Sequence, residues 1–211
     1  MTRPHLHLVK VYQEPQIKLI GVGGAGGQAV CQIIDSGVHG VECICVDTDA
    51  VELASFRAHK KIQLGSSGLG AGGNPALGRK AAAESCDEIR AAIIGADLLF
   101  IIAGMGGGTG TGAAPMVARL AKEMGIQTVG WVTLPFDFEG NARLIHARVG
   151  LRELQAQVDT LLVTPCDTLL AMLDEETFKD EAFVYANVQL NHALVGMLSV
   201  VNVPNMVNID F

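Results

Sequence analysis

Aromatic and charged residues are scarce in this sequence, at 5% and 18% of its 211 residues. No apolar run approaches the roughly 20 residues of a membrane-spanning helix, and the first 30 residues show no signal-peptide pattern. Basic residues are fewer than acidic ones, 15 against 22, so the chain lacks the positive charge typical of proteins that bind nucleic acids or anionic membranes. We therefore expect a cytoplasmic protein with no nucleic-acid partner and no direct membrane insertion.

Motifs for metal and thiol chemistry are also missing. The five cysteines are odd in number and contain no C-x-x-C, which indicates reduced, structural thiols rather than a disulfide framework. The six histidines form no H-E-x-x-H pattern. We therefore predict no transition-metal site and name no metal-ligating residue.

Aliphatic residues and glycine are abundant instead, and short apolar runs alternate with segments of helical spacing. Predicted strands cover 17–22, 41–46, 61–64, 97–103, 126–134 and 160–165. Predicted helices cover 28–37, 77–94, 139–158 and 179–202, with a further helix from near 112. Continuous apolar strands that alternate with helices predict an α/β fold, a Rossmann-like parallel sheet with helices on both faces.

A first glycine-rich loop, GVGGAGGQAV, follows the first predicted strand. Gly21, Gly23 and Gly26 match the G-x-G-x-x-G dinucleotide fingerprint, and Asp47 lies at the end of the second strand. Bare backbone N–H groups at a helix N-terminus attract phosphate, whichever nucleotide carries it. This loop therefore predicts a nucleotide phosphate site and leaves NAD open as a ligand.

A second glycine-rich loop, GMGGGTGTG at 104–112, joins a buried strand to a helix. Its glycines allow the backbone to curl around an anion, and Thr109 and Thr111 add hydroxyl donors. A third loop, GAGGN at 70–74, adds further glycines. Several cradles favour a nucleoside triphosphate over a dinucleotide, although the P-loop motif G-x-x-x-x-G-K-[ST] is absent.

GGGTGTG followed by AAP resembles the signature of the tubulin and FtsZ superfamily, in its FtsZ branch. IGVGGAGGQAV, VDTDA, GLGAGGNPALGRKAA, PFDFEG and VNIDF are similar, in the same order, to further FtsZ motifs. The resemblance implies a GTPase of the tubulin fold that binds GTP or GDP with Mg²⁺. It also implies head-to-tail assembly in bacterial cell division, with hydrolysis completed by the adjoining subunit, and a location in the cytoplasm and at the division site.

The resemblance also implies which residues contact the nucleotide. Three loops would hold the phosphates, a charged pair would face the ribose and phosphates, and two residues of the last helix would face the base. These residues are Gly23, Gly24, Ala25, Gly26, Gly27, Gln28, Asp49, Gly72, Gly73, Asn74, Gly104, Gly106, Gly107, Gly108, Thr109, Gly110 and Thr111, then Glu139 and Arg143, then Phe183 and Asn187.

Four positions depart from the family pattern. Gln28, Cys166 and Asp47 each stand where the family has Asn, and Val188 stands where it has the Asp that reads guanine. Loss of a hydrogen-bonding partner at the base weakens discrimination between bases. We therefore predict intact phosphate binding, relaxed guanine selectivity and a divergent FtsZ-like protein.

The resemblance divides the chain into a tail at 1–16, a nucleotide-binding domain at 17–174 and a central helix at 175–203. Residues 204–211 resemble the start of the loop that acts on the neighbouring subunit's nucleotide, with Asn208 and Asp210 as its catalytic residues. The family's second acid and second domain have no counterpart in these 211 residues. We expect either an excised N-terminal part or a natural short form, with weak or no hydrolysis alone.

Three functions remain open at this point. The first is the cytoskeletal GTPase domain, whose partners are a second copy bound head to tail, a full-length FtsZ-like relative, and division proteins. The second is a nucleotide-binding regulatory module that does not polymerise. The third is an NAD-binding Rossmann enzyme, which the second cradle disfavours.

Overall fold

A computed structural model describes residues 15–170 together with residues 188, 192, 195 and 196. The strands are β1 (Ile17–Val22), β2 (Val41–Asp47), β3 (Lys60–Gln63), β4 (Leu98–Gly104), β5 (Gln127–Leu134) and β6 (Thr160–Pro165). The helices are α1 (Gly23–Asp35), α2 (Ala50–Ser55), α3 (Pro75–Glu84), α4 (Cys86–Ile93), α5 (Thr109–Glu123), α6 (Asn141–Gln155) and α7 (Cys166–Leu170). A short 3-10 helix at Asp137–Glu139 precedes α6.

The strands form one sheet in the order β3-β2-β1-β4-β5-β6. Every neighbouring pair is parallel; Val22, for example, pairs with Val46 on one side and with Ala103 on the other. The strand order reverses between β1 and β4, so the loops that follow these strands diverge to opposite faces and leave a crevice at their carboxyl ends. The predicted α/β fold with a parallel sheet is confirmed.

The central strands β1, β2, β4 and β5 are largely buried on both faces, which explains their apolar runs, whereas most residues of the edge strands β3 and β6 are half-buried or exposed. Ile20 and Val22 of β1 belong to a core with the helices α3, α4, α5 and α6. Ile17 and Leu19 of the same strand belong to a second core with α1 and α2. Successive side chains of a strand point to opposite faces, so apolar residues in succession supply both cores.

Local hydrogen bonding sets several helix boundaries that periodicity places differently. The predicted helix 77–94 is two helices, α3 and α4, separated at Ser85. The Ser85 hydroxyl accepts a hydrogen bond from the Gly65 backbone N–H at 3.0 Å, which ties this break to the loop after β3. The predicted helix 139–158 is divided at Gly140, whose φ of +98° ends the 3-10 helix.

Two further helices differ from the sequence prediction. Helix α1 begins five residues before the predicted start at 28, because its first turn is made of the glycines that follow β1. Helix α2 is not predicted by periodicity; it is six residues long and begins where the Asp49 side chain accepts hydrogen bonds from two backbone N–H groups. Short capped helices carry too little periodic signal to be found in this way.

Most of the predicted tail 1–16, the central helix 175–203 and the segment 204–211 lie outside the described residues, so these boundaries stay predictions. The described residues 188, 192, 195 and 196 are helical. Within the part of the chain that the structure describes, no helix has the length and apolar character needed to cross a membrane.

Candidate functional site

A cavity of about 650 Å³ opens at the carboxyl ends of the central strands. The last residues of β1, β2, β4 and β5, namely Val22, Asp47, Gly104 and Leu134, all line it. Its size is typical of sites for small molecules and cofactors. The topological switch between β1 and β4 places the cavity here, where α/β sheets bind their ligands.

Two helix N-termini meet at this cavity. Gly23, Gly24 and Ala25 of α1 line it, as do Thr109 and Gly110 of α5. Neither helix has a side chain that caps its N-terminus, and neither has an acidic residue in its first turn. The first N–H groups of a helix have no partner inside the helix, and its N-terminus carries partial positive charge. The pair of uncapped termini therefore forms a site for an anion.

The two neighbouring helices α2 and α3 are capped in the ordinary way. Asp49 accepts hydrogen bonds from the N–H groups of Val51 and Glu52, and Asn74 accepts one from Ala76. Both caps are residue types preferred at this position, worth about 1 kcal/mol each. Helices α4 and α6 likewise have no side-chain cap, so α1 and α5 are distinguished by the cavity that their first residues line.

Threonine hydroxyls brace the glycine loop between β4 and α5. The Thr111 hydroxyl accepts a hydrogen bond from the Gly106 backbone N–H at 2.8 Å, and the Thr111 residue is 2% exposed. The hydroxyls of Thr48 and Thr109 are 2.7 Å apart, which joins the end of β2 to the start of α5. Thr111 therefore holds the loop in shape, whereas Thr109 both braces the loop and lines the cavity.

Several glycines of the two loops allow close packing because they have no Cβ atom. A Cβ at Gly26 would lie 2.4 Å from the Ile102 carbonyl oxygen, and one at Gly27 would lie 2.2 Å from the Phe56 ring. These distances are far below van der Waals contact, so a side chain at Gly26 would displace α1 from β4, and one at Gly27 would force α1 and Phe56 apart. At Gly107 an added Cβ meets no atom within 4 Å, because this residue faces open space in the cavity.

A charged pair closes one side of the cavity. Glu139 and Arg143 lie one helical turn apart, line the cavity, and form an ion pair with each other. The other Glu139 oxygen accepts a hydrogen bond from the Phe136 backbone N–H at 2.8 Å. Because Glu139 is fixed at both oxygens, it holds Arg143 at the rim. The adjacent thiol of Cys166 also lines the cavity, and burial, with Glu139 and Asp167 nearby, raises its pKa to about 12.

The opposite side of the cavity is acidic. Asp47, Asp49 and Glu52 all line it. Burial raises the pKa of Asp47, although backbone hydrogen bonds from Asp49 and Thr48 and the nearby Thr109 hydroxyl act in the other direction. The pKa of Glu52 is raised by burial and by the negative charges of Asp47 and Asp49. Carboxylates with raised pKa values in a cleft are a frequent mark of functional sites.

The structure brings most of the predicted site residues together. The predicted residues that line the cavity are Gly23, Gly24, Ala25, Gln28, Asp49, Gly72, Gly73, Gly104, Gly107, Gly108, Thr109, Gly110, Glu139 and Arg143. The predicted residues that do not line it are Gly26, Gly27, Asn74, Gly106 and Thr111, which serve packing, capping and loop shape. Phe183, Asn187, Asn208 and Asp210 lie outside the described residues.

Several residues that line the cavity were not among the predicted nucleotide contacts, although Gly70, Ala71 and Met105 lie within the predicted loops and Asp47 and Cys166 mark departures from the family pattern. These additional lining residues are Val22, Asp47, Thr48, Glu52, Leu69, Gly70, Ala71, Met105, Thr133, Leu134, Pro135 and Cys166. Thr48 and Pro135 could have been identified as cavity residues because they come shortly after predicted strands, and the carboxyl ends of parallel strands meet at one edge of the sheet. Glu52 has no such signal, since it lies on the short helix α2 that periodicity does not predict.

The fold and site together define an α/β protein with a glycine-lined anion site at the switch point of its sheet. A family model described as Tubulin/FtsZ family, GTPase domain, matches residues 16–174. The chain belongs to this family, which confirms the predicted resemblance.

Solved structures of two relatives agree with this assignment. An empty FtsZ dimer from M. jannaschii is 40% identical with a TM-score of 0.90, and the match covers 94% of this chain and 59% of that one. CetZ2 from Haloferax volcanii, a GTPγS-bound protofilament, is 24% identical with a TM-score of 0.80, and the match covers 90% and 60% of the two chains. The second likeness concerns the fold alone. The chain thus spans about 60% of the length of these relatives.

Proposed function

We propose that this chain is a GTP-binding domain of an FtsZ-like cytoskeletal GTPase. The observation that carries the proposal is the pair of uncapped N-termini, α1 and α5, at one cavity. A triphosphate chain offers anionic oxygens to both termini at once. Backbone N–H groups would therefore hold the phosphates, with Gly107 and Gly108 close to them because these residues line the cavity without side chains.

Other residues that line the cavity would orient the nucleotide. Arg143, held by Glu139, would contact the phosphates or ribose from the rim. Gly72 and Gly73 adopt positive φ angles of +54° and +72°, a conformation that glycine accepts without strain, and they would close over the terminal phosphate. Phe183 and Asn187 are the proposed contacts to the base.

Magnesium is the proposed cofactor, and the donor set fits it. Mg²⁺ prefers carboxylate and phosphate oxygens, and Asp47 offers a buried oxygen, Oδ2, that has no hydrogen-bond partner in the described part of the chain. Asp47 would hold the ion together with the phosphates. When bound, Mg²⁺ neutralises phosphate charge.

Assembly and hydrolysis belong to the same proposal. A second copy or a full-length FtsZ-like relative would bind head to tail over the cavity, in the cytoplasm and at the bacterial division site, with division proteins as further partners. Asn208 and Asp210 of one molecule would act on the nucleotide of the next and position the attacking water.

Separate titrations of the purified chain with GTP, GDP, ATP and NAD test the proposal. We expect binding of GTP and GDP, and selectivity over ATP weaker than is typical of the family, because Val188 replaces the carboxylate that would accept hydrogen bonds from guanine. Binding of NAD more tightly than GTP would overturn the assignment in favour of a dinucleotide enzyme.

A further inference from the structure

The Glu52 side chain lies against the first turn of α1. Glu52 belongs to the short helix α2, is half-buried and lines the cavity. A Cβ added at Gly24, the second residue of α1, would lie 2.4 Å from the Glu52 Oε1 atom and 3.2 Å from its Oε2 atom. The carboxylate thus occupies the space beside the α1 backbone that a side chain at Gly24 would fill.

No positively charged side chain accounts for this position. Glu52 forms no salt bridge within the described residues. Among the described residues that line the cavity, the single guanidinium is that of Arg143, which is paired with Glu139. Burial and the negative charges of Asp47 and Asp49 raise the pKa of Glu52. These surroundings therefore disfavour a carboxylate.

The N-terminus of α1 supplies the charge that favours it. Helix N-termini carry partial positive charge, and a carboxylate beside them is stabilising. Helix α1 has neither a side-chain cap nor an acidic residue in its own first turn. Glu52 thus brings to this helix end, from a different helix, the negative charge that the first turn of α1 lacks.

The N-terminus of α1 is also the place assigned to a nucleotide phosphate in the proposed function. Two anions in contact within a partly desolvated cleft repel each other strongly. The atoms beside Gly24 are the end of a flexible side chain, so rotation of Glu52 removes them from α1. The start of α2 stays fixed meanwhile, because the Asp49 side chain accepts hydrogen bonds from the N–H groups of Val51 and Glu52.

We propose that Glu52 competes with the phosphate chain for the N-terminus of α1, and that its carboxylate leaves α1 when a nucleotide binds. This inference rests on the proposed nucleotide site and adds a residue that lowers the affinity of that site for anions. The cost is the same for every ligand that places a phosphate beside Gly24. A simple anion such as pyrophosphate has no further contacts to offset it, so occupancy of the site depends on contacts to the ribose and the base.

Titration calorimetry of the 211-residue chain with GDP and with pyrophosphate tests the competition. The buffer contains EDTA, so that no divalent cation bridges the carboxylate and the phosphates. Glu52→Gln keeps the shape of the side chain and removes its charge. We expect this variant to bind both ligands about 10- to 100-fold more tightly than the unaltered chain, the scale of one close repulsion between charged groups. Guanosine has no phosphate, and its affinity should not change.

Two further variants separate contact at α1 from an effect of net charge. Glu88→Gln removes the same charge from α4, where Glu88 is exposed and does not line the cavity. It should bind GDP like the unaltered chain. Glu52→Asp keeps the charge but withdraws it from Gly24 by one methylene group. Its affinity for GDP should lie between those of the unaltered chain and Glu52→Gln.

A second measurement needs no substitution and stays decisive if Glu52→Gln does not fold. In nuclear magnetic resonance spectra of the unaltered chain, Overhauser contacts between the Glu52 methylene protons and Gly24 are expected without nucleotide, because the side chain lies against this residue. They should disappear when GDP binds. Contacts that persist in the GDP complex would overturn the displacement of Glu52.

The outcomes separate this inference from the proposed function. Absence of GDP binding by both the unaltered chain and Glu52→Gln would refute the nucleotide site itself. Equal GDP affinity of the two proteins, both folded, would leave that site in place and overturn the role of Glu52. A lower affinity of Glu52→Gln in millimolar Mg²⁺ would also overturn it, because Glu52 would then assist binding instead of competing with it.

Discussion

Gly107 is a residue whose substitution should affect the proposed ligand site without affecting the stability of the protein. Its φ lies outside the left-handed region and an added Cβ meets no atom within 4 Å, so a larger side chain fits the ligand-free protein. It also lines the cavity, where that side chain would occupy the space of a phosphate.

We predict that Gly107→Val weakens GTP binding by about 3 kcal/mol or more, because several charge-assisted hydrogen bonds to the backbone are lost together. The melting temperature without nucleotide should change little, and Gly107→Ala should give an intermediate affinity. Titration calorimetry and thermal unfolding measure the two effects. Unchanged affinity in a folded Gly107→Val protein would contradict the phosphate cradle.

Thr111 should behave in the opposite way, since its hydroxyl is occupied within the loop by the Gly106 N–H. Thr111→Val keeps the shape of the side chain but leaves that buried N–H without an acceptor. We predict a loss of about 1–3 kcal/mol in the free energy of unfolding, measured by denaturant titration without nucleotide. Thr111→Ser keeps the hydroxyl and should retain the hydrogen bond. If valine is tolerated without loss, Thr111 does not brace the loop.

At the scale of the elements, helix α5 depends on glycine for its contact with α3. A Cβ at Gly112 would lie 2.0 Å from the Pro75 carbonyl oxygen and 2.6 Å from the Arg79 backbone nitrogen. Neither is the end of a flexible side chain, so one helix would have to move. Helix α5 begins within the glycine loop and α3 begins directly after the loop at 70–74, so the separation of the two helices affects the width of the cavity between these loops.

We predict that Gly112→Ala destabilises the protein by about 1–3 kcal/mol, the typical cost of overpacking, although alanine favours a helix over glycine. The comparison variant is Gly107→Ala, whose added methyl group meets no atom. Denaturant unfolding of both measures the difference. Equal stability of the two variants would show that α3 and α5 adjust without strain.

Much of this architecture follows from periodicity, and the exceptions have local causes. The central strands are predictable because both of their faces are buried, which gives runs such as LLFIIA. The first two glycine loops are predicted to be ligand loops because each joins a buried strand to a helix. The break at Ser85 and the start of α2 depend on single side-chain hydrogen bonds, which hydrophobic patterns do not report.

For a similar reason, it is harder to predict which residues of the loop face the cavity and which support the loop. GGGTGTG predicts an anion-binding loop but does not tell which of its residues would face the ligand. Gly107 faces the cavity and Thr111 faces the loop, a distinction that arises from the turn of the backbone between them.

At the scale of the whole molecule, the proposed mechanism requires the bound nucleotide and the catalytic acid to belong to different copies of the chain. The cavity is built from residues between Val22 and Cys166, whereas the proposed catalytic residues are Asn208 and Asp210. The 211 residues contain one of the two acids that the resemblance implies for this loop. Positioning of a water demands that the acid be held closely against it, which a neighbouring molecule would have to provide.

We therefore predict that residues 1–211 alone hydrolyse GTP very slowly, with no steep dependence of the rate on protein concentration. A full-length FtsZ relative should restore turnover when its own nucleotide site is blocked by valine at the position equivalent to Gly107, because its acids then act on the nucleotide held by this chain. The same donor with its two loop acids replaced by alanine is the control and should have no effect. Phosphate release measured against concentration, alone and in each mixture, decides the matter. Fast, cooperative hydrolysis by residues 1–211 alone would show that Asp210 suffices, and would remove the requirement for a second acid.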